Sequence, residues 1–70
     1  MMYRKIEGFD YDFVGSFMEV MIDLREGLID IDEAKYIIEE TLEIALIQCE
    51  ERTESVFLWY ELVLSWIESL

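Results

Sequence analysis

Apolar residues recur along this chain at intervals of three and four, the spacing that places them on one face of an α-helix. The pattern predicts three helices, at about residues 11–26, 31–50 and 54–69. Gly27 is expected to end the first, and Asp30, with Asp32 as a rival, to cap the second. Residues 1–9 lack the helical period and are predicted to form an N-terminal arm. The sequence therefore predicts an all-α fold, a small three-helix bundle in a single domain at residues 10–70.

The connection between the second and third helices allows an alternative fold. No Gly or Pro occurs from Leu28 to Leu70, so one short helix could pack on a single long dimerising helix at residues 31–69. Two observations favour the bundle: helices of this length are rare in globular domains, and Arg52 would lie in the middle of the long helix's apolar face. In the bundle, Thr53 or Ser55 is the candidate N-cap of the third helix.

The C-terminal stretch from Ser55 to Leu70 is apolar nearly all round when it is projected on a helix. A 70-residue chain buries only about 60% of its unfolded surface, and 54% of this chain is hydrophobic. We therefore expect a homo-oligomer, most simply a dimer, with the third helix at its interface. The predicted apolar interface residues are Val56, Phe57, Trp59, Tyr60, Val63, Trp66, Ile67 and Leu70.

Charge narrows the classes of partner. Seventeen acidic and five basic residues give a net charge of −12, which repels nucleic acid and anionic membranes. A second, unknown partner is expected to be a protein, and a basic nucleic-acid-binding protein fits the charge. The predicted acidic face consists of Glu39, Glu40, Glu43, Glu50, Glu51 and Glu54.

Two functional hypotheses follow, both of a non-enzymatic protein–protein interaction module. In the first, the acidic face occupies a basic groove of the partner, as DNA-mimicking inhibitors and small regulators of phages or mobile elements do. In the second, the apolar helix is the recognition element and the acids only keep the protein soluble. Binding through the acids should weaken steeply with salt, whereas binding through the apolar helix should hardly change.

The chain is poor in residues that carry chemistry. It has no histidine and a single cysteine, Cys49, which is predicted to be a buried packing residue. The segment from Gly27 to Glu33 has the spacing of the second half of an EF-hand loop, but Ile22 and Leu24 occupy two of the preceding ligand positions and offer no oxygen. We predict no catalytic residue, no metal ligand and no cofactor.

One resemblance supports an enzymatic alternative. The segment Glu39-Glu40-Thr41-Leu42-Glu43 resembles the EExxE motif of the all-α nucleotide pyrophosphohydrolases, with a second acidic group in residues 50–54. The resemblance implies glutamates that hold Mg²⁺ against a pyrophosphate. Glu50 follows Glu43 by only seven positions, and Arg52 is the only base near either motif. The interaction module therefore remains the leading hypothesis.

The expected location is the cytoplasm. Arg4 and Lys5 are followed by acids and not by the apolar run of a secretory signal. The longest nearly apolar run, from Val56 to Ile67, contains Glu61 and is shorter than the roughly 20 residues that a membrane span needs.

Overall fold

Three α-helices follow one another in a computed structural model that describes residues 4–8 and 10–70. They are α1 at Phe13–Arg25, α2 at Ile31–Gln48 and α3 at Thr53–Glu68, with a 3-10 turn at Glu50–Arg52. The predicted three-helix bundle is confirmed, and each predicted boundary lies within two residues of the observed one. Of the predicted arm, residues 4–8 are non-helical, and residues 1–3 and 9 lie outside the described residues.

Capping interactions define both ends of α1 and the turn that leads into α2. A carboxylate oxygen of Asp12 accepts a hydrogen bond from the Gly15 N–H at 3.0 Å, which satisfies one of the free donors at the start of α1. After α1, Gly27 has a positive φ of 78°, and the Leu28 N–H donates to the Asp23 carbonyl at 2.9 Å. This is a Schellman motif, which lets the chain reverse direction.

Of the two candidate caps, Asp30 and not Asp32 caps α2. Its side-chain oxygen accepts a hydrogen bond from the Glu33 N–H at 2.7 Å. Asp32 and Glu33 lie in the first turn of α2, where carboxylates interact favourably with the helix dipole.

The corner between α2 and α3 excludes the single long helix. Cys49 leaves the helical conformation, with φ −119° and ψ 48°, and the 3-10 turn follows it. The N-cap prediction for α3 is wrong, because α3 begins without a side-chain cap; Thr53 donates its hydroxyl to the Glu50 carbonyl instead, at 3.0 Å. The bend allows α3 to fold back on α2 and bury one of its sides, which a continuous helix could not do within one chain.

Each helix contributes the residues of one side to a common core. All members of this core are less than a tenth exposed, and the largest fully buried ones are Phe17, Ile38 and Ile67. The spacing of three, four and seven residues keeps them on one side of each helix. The buried apolar residues are Phe13, Phe17, Val20, Ala34, Ile38, Ala45, Cys49, Val56, Val63 and Ile67.

None of the helices in the described part of the chain has the length and apolar character needed to cross a membrane.

Candidate interaction surfaces

One side of α3 belongs to the core and not to the surface. Val56, Val63 and Ile67 are at most 1% exposed. Because they are separated by seven and four residues, they share the side of α3 that α1 and α2 cover. These three predicted interface residues are therefore enclosed within the single chain.

The other predicted interface residues lie farther round α3. Phe57 and Leu70 are exposed, and the side chains of Trp59, Tyr60 and Trp66 are half-buried against the core.

Leu58 and Leu62, which are 57% and 54% exposed, are absent from the interface predicted from the sequence. The signal that would have found them is their spacing of four, together with serines at positions 55, 65 and 69 on the same side of the helix. These two leucines are the apolar residues of α3 that reach farthest into solvent within the helix.

Helix α1 presents a matching pair of apolar side chains. Met18 and Ile22, also four residues apart, are 48% and 53% exposed. On the same side of α1, Val14 and Met21 are half-buried against the core.

At about 100° per residue, these residues of α1 and the Leu58–Leu62 side of α3 border the groove where α1 and α3 meet. We call this surface the acid-free face. Its residues are Met18, Ile22, Leu58, Trp59, Leu62 and Trp66.

Carboxylates are excluded from this surface, although α1, α2 and α3 together carry ten of them. On α3, Glu54, Glu61 and Glu68 recur every seven residues along the edge that turns toward α2. On α1, Glu19 and Asp23 turn the other way and line a cleft against α2. The bundle has three outer faces, one for each pair of helices, and the acids occupy only the two that include α2.

The predicted acidic face divides into two groups. Glu39 and Glu43 are exposed along α2 and Glu40 is half-buried beside them, whereas the other three lie at the corner: Glu50, Glu51 and Glu54. The N-terminal arm partly neutralises the corner, since Lys5 Nζ lies 3.0 Å from a Glu50 carboxylate oxygen.

The face between α2 and α3 brings carboxylates from two helices together. Lys35 Nζ lies 3.9 Å from a Glu68 oxygen, a contact that links α2 to α3. Burial raises the pKa of Tyr60, and the nearby charges of Glu39 and Glu68 raise it further. The charge of Glu40, and then a hydrogen bond to it, raise the pKa of Tyr36. Both tyrosines thus indicate a negative potential on the α2 side of the molecule.

The arm is fastened to the corner through Gln48. Its side-chain amide donates to the Arg4 carbonyl at 2.6 Å and accepts from the Ile6 N–H at 3.0 Å. Cys49, buried as predicted, places its Sγ 3.4 Å from the Tyr11 carbonyl oxygen. These contacts give the corner a structural role in holding the arm.

No group of three or more Asp, Glu or Cys side chains is placed to hold a metal ion in residues 4–8 and 10–70. Comparison with known protein families, with characterised proteins and with solved structures finds no match to this chain.

Proposed function

We propose that this protein is a cytoplasmic, non-enzymatic protein–protein interaction module that self-associates through the outer side of α3 and presents acidic surfaces to a basic protein partner. The observation that supports this proposal is the sorting of charge: apolar side chains about half exposed lie where acids are absent, and acids fill the remaining helix faces. Isolated exposed apolar residues are ordinary, but a contiguous group on two helices is typical of a binding surface.

Self-association is supported by the charges that would face each other between two copies. Each copy carries a charge of −12, so contact between acidic faces is opposed by repulsion. The acid-free face is the region where two copies can approach without opposing carboxylates. Its aliphatic and tryptophan side chains also supply the kind of area that interface cores bury.

The acids, in turn, support a basic partner. Of the five basic residues, Lys5, Lys35 and Arg52 already lie within 4 Å of carboxylates of the same chain. A second copy would therefore add little positive charge to balance the acidic faces. A protein with a basic groove, such as a nucleic-acid-binding protein, would supply it, and the module would then act as a regulator or inhibitor of that protein.

The mass in solution tests the self-association. Light scattering over a concentration series should show that the wild type forms a dimer and that Leu62→Glu stays monomeric. Leu28→Glu is the matched control, because it also replaces an exposed leucine with a glutamate, but in the turn after α1. A wild type that stays monomeric at every concentration would refute self-association, and equal loss in both variants would remove α3 from the explanation.

Salt tests the acidic surfaces. A lysine-rich model peptide should bind the wild type more weakly as NaCl rises, because screening removes the attraction between charges. Replacing Glu39 and Glu43 with glutamine should weaken this binding, whereas Leu62→Glu should not. Binding that is insensitive to salt would contradict a role for the acids.

A further inference from the structure

We propose that the corner between α2 and α3 is the docking site for an extended basic segment of the protein partner, and that residues 4–8 of the chain's own arm occupy this site as a tethered competitor. The inference rests on the proposed binding of a basic protein and adds where that protein binds. It also adds a regulatory contact, because the partner must displace the arm before it reaches the corner.

A single side chain holds the backbone of the arm. The Gln48 carboxamide donates to the Arg4 carbonyl at 2.6 Å and accepts from the Ile6 N–H at 3.0 Å. These two backbone groups flank Lys5, and the groups that flank one residue are those that an extended segment offers to a neighbouring parallel strand. Gln48 therefore contacts the arm in the way that a residue of an adjacent strand would.

The two bonds to Gln48 do not depend on the side chains of the arm. Every residue has a backbone carbonyl, and every residue except proline has a backbone N–H. An extended segment of another protein can therefore make the same pair of bonds. The receptor for these bonds is fixed in place, because Gln48 is only 9% exposed and both polar atoms of its carboxamide bond to the arm.

The charge of the corner favours a basic segment. Between the two bonded backbone groups, the Lys5 ammonium donates to a Glu50 carboxylate oxygen at 3.0 Å. That hydrogen bond raises the pKa of Lys5, and the charges of Glu50 and Glu51 add to the rise. The corner therefore suits a segment that carries a lysine or an arginine between the two backbone groups that bind Gln48.

The arm leaves part of the site unfilled. Residues 4–8 are all exposed, so the arm covers little of the surface beneath it. A cleft of about 230 Å³ remains between the arm and the corner, and its lining includes Lys5, Gly8, Glu51 and Arg52. A partner segment with larger side chains could make the same bonds as the arm and also fill this cleft.

Competition follows from the tether. The arm belongs to the same chain and returns to the corner without meeting a second molecule, so a partner binds only the fraction of molecules whose corner is open. Release of the exposed arm sacrifices little apolar burial. It does remove both partners of the buried Gln48 carboxamide, which favours the exchange of one extended segment for another over an empty corner.

A peptide titration of the full chain tests the inference. The probe is an acetylated and amidated peptide with the sequence of residues 4–8, and NMR of the Gln48 side-chain amide reports its binding. Ile6→Pro removes the N–H that donates to Gln48, whereas Ile6→Ala shortens the same exposed side chain and keeps the N–H. The peptide should bind Ile6→Pro about tenfold more tightly than Ile6→Ala, because the arm no longer competes. Far-UV circular dichroism verifies the fold of both variants.

Two lysine variants separate release of the arm from net charge. Lys5→Gln and Lys35→Gln each remove one positive charge from a net charge of −12 and leave −13. Lys5 pairs with a carboxylate at the corner, whereas Lys35 pairs with Glu68 on the α2–α3 face. Lys5→Gln should therefore tighten binding of the peptide about threefold, and Lys35→Gln should leave it nearly unchanged.

The peptide has a matched control of its own. Proline in place of its isoleucine keeps the charge of the peptide and removes the N–H that would donate to Gln48. This second peptide should bind the Ile6→Pro variant about tenfold more weakly than the first, because the Gln48 carbonyl oxygen is left without a donor.

Three results would overturn the inference while salt-sensitive binding of the lysine-rich peptide still supported a basic partner. They are equal affinity of the first peptide for Ile6→Pro and Ile6→Ala, equal affinity of the two peptides, and a Gln48 amide signal that does not respond to the peptide. A wild-type dimer that Ile6→Pro abolishes would assign the corner to the arm of a second copy and would also overturn the inference. If no variant binds either the first peptide or the lysine-rich peptide, the inference and the proposed basic partner are both wrong.

Discussion

Helix α3 takes part in two outer faces of the bundle, and the two differ in charge much more than in apolar content. The face toward α1 exposes Leu58 and Leu62 and carries no acid. The face toward α2 exposes Phe57 at 43%, but Glu61 and Glu68 lie on the same side of the helix. Exposed apolar residues alone would therefore not distinguish the two faces, whereas the carboxylates do.

In the proposed function, this difference in charge matters for contacts between molecules more than for stability. Exposed ion pairs contribute little to folding, and the described residues have only three of them. The core ridge of α3, formed by its buried residues Val56, Val63 and Ile67, stabilises the bundle wherever the acids lie. Under the proposed self-association, the position of the acids decides which faces two copies can bring together, and the predictions below test this separation of roles.

The largest effect on stability should come from substituting a residue of the core ridge, which lies between the two faces. Ile67→Ala removes a side chain that is 1% exposed and should lower the free energy of unfolding by about 2–5 kcal/mol. Leu62→Ala, on the acid-free face, should cost less than about 1 kcal/mol in the monomer. Urea denaturation at low protein concentration measures both; similar costs would mean that Leu62 is part of the fold and not of a free surface.

The aromatic residues on either side of the ridge offer a second comparison. Trp59 is half-buried on the α1 side of α3. Trp59→Ala should lower the free energy of unfolding by about 3 kcal/mol, because the packing of the indole against the core is lost. Phe57 is more exposed and lies on the α2 side, so Phe57→Ala should lower the free energy of unfolding by only about 1 kcal/mol. Thermal unfolding followed by circular dichroism measures the difference, and a larger loss for Phe57→Ala would reverse the assignment of the two faces.

The helix pattern was predictable because local signals agree with the tertiary structure. Gly27, Asp30 and the three-four spacing of apolar residues all mark the elements that the structure contains. The buried side of α3 was not identified, because a helix that is apolar nearly all round has only a few polar positions to orient it. The positions of α1 and α2 show that Val63 is inside and Leu62 outside.

The corner shows a different limit of sequence reasoning. Nothing in residues 48–55 is a strong helix breaker, and the bend is stabilised by contacts distant in sequence, such as those from Gln48 to Arg4 and Ile6. Gly15 shows the same limit on a smaller scale: a Cβ there would lie 2.6 Å from an Asp12 carboxylate oxygen, so a larger residue would make the capping side chain shift. Such constraints become visible only when both partners are placed.

A small effect should accompany loss of the ion pair on the α2–α3 face. Lys35→Gln leaves the Glu68 carboxylate without its lysine and adds to the repulsion from Glu39 and Glu61. Because the pair is exposed, the substitution should lower the free energy of unfolding by roughly 0.2–1 kcal/mol at low salt. A double-mutant cycle with Glu68→Gln measures the coupling, which should disappear at high NaCl. A coupling that persists in high salt would show a desolvated pair and contradict the exposed geometry.

The smallest effect concerns the titration of Tyr60 on the same face. Burial, and then the charges of Glu39 and Glu68, raise its pKa above the ordinary value of 10.0, so the folded state favours the neutral phenol. The resulting stabilisation is fully present below the pKa of the unfolded chain and is lost as pH rises through the higher pKa of the folded state.

The difference in ultraviolet absorbance between the wild type and Tyr60→Phe during an alkaline titration reports this residue alone. Glu39→Gln should move the Tyr60 pKa part of the way toward its ordinary value, whereas Glu19→Gln, on the α1 side, should leave it unchanged. Equal shifts in the two variants would mean that Tyr60 senses the net charge of the whole protein, and the negative potential would then not be a property of the α2–α3 face.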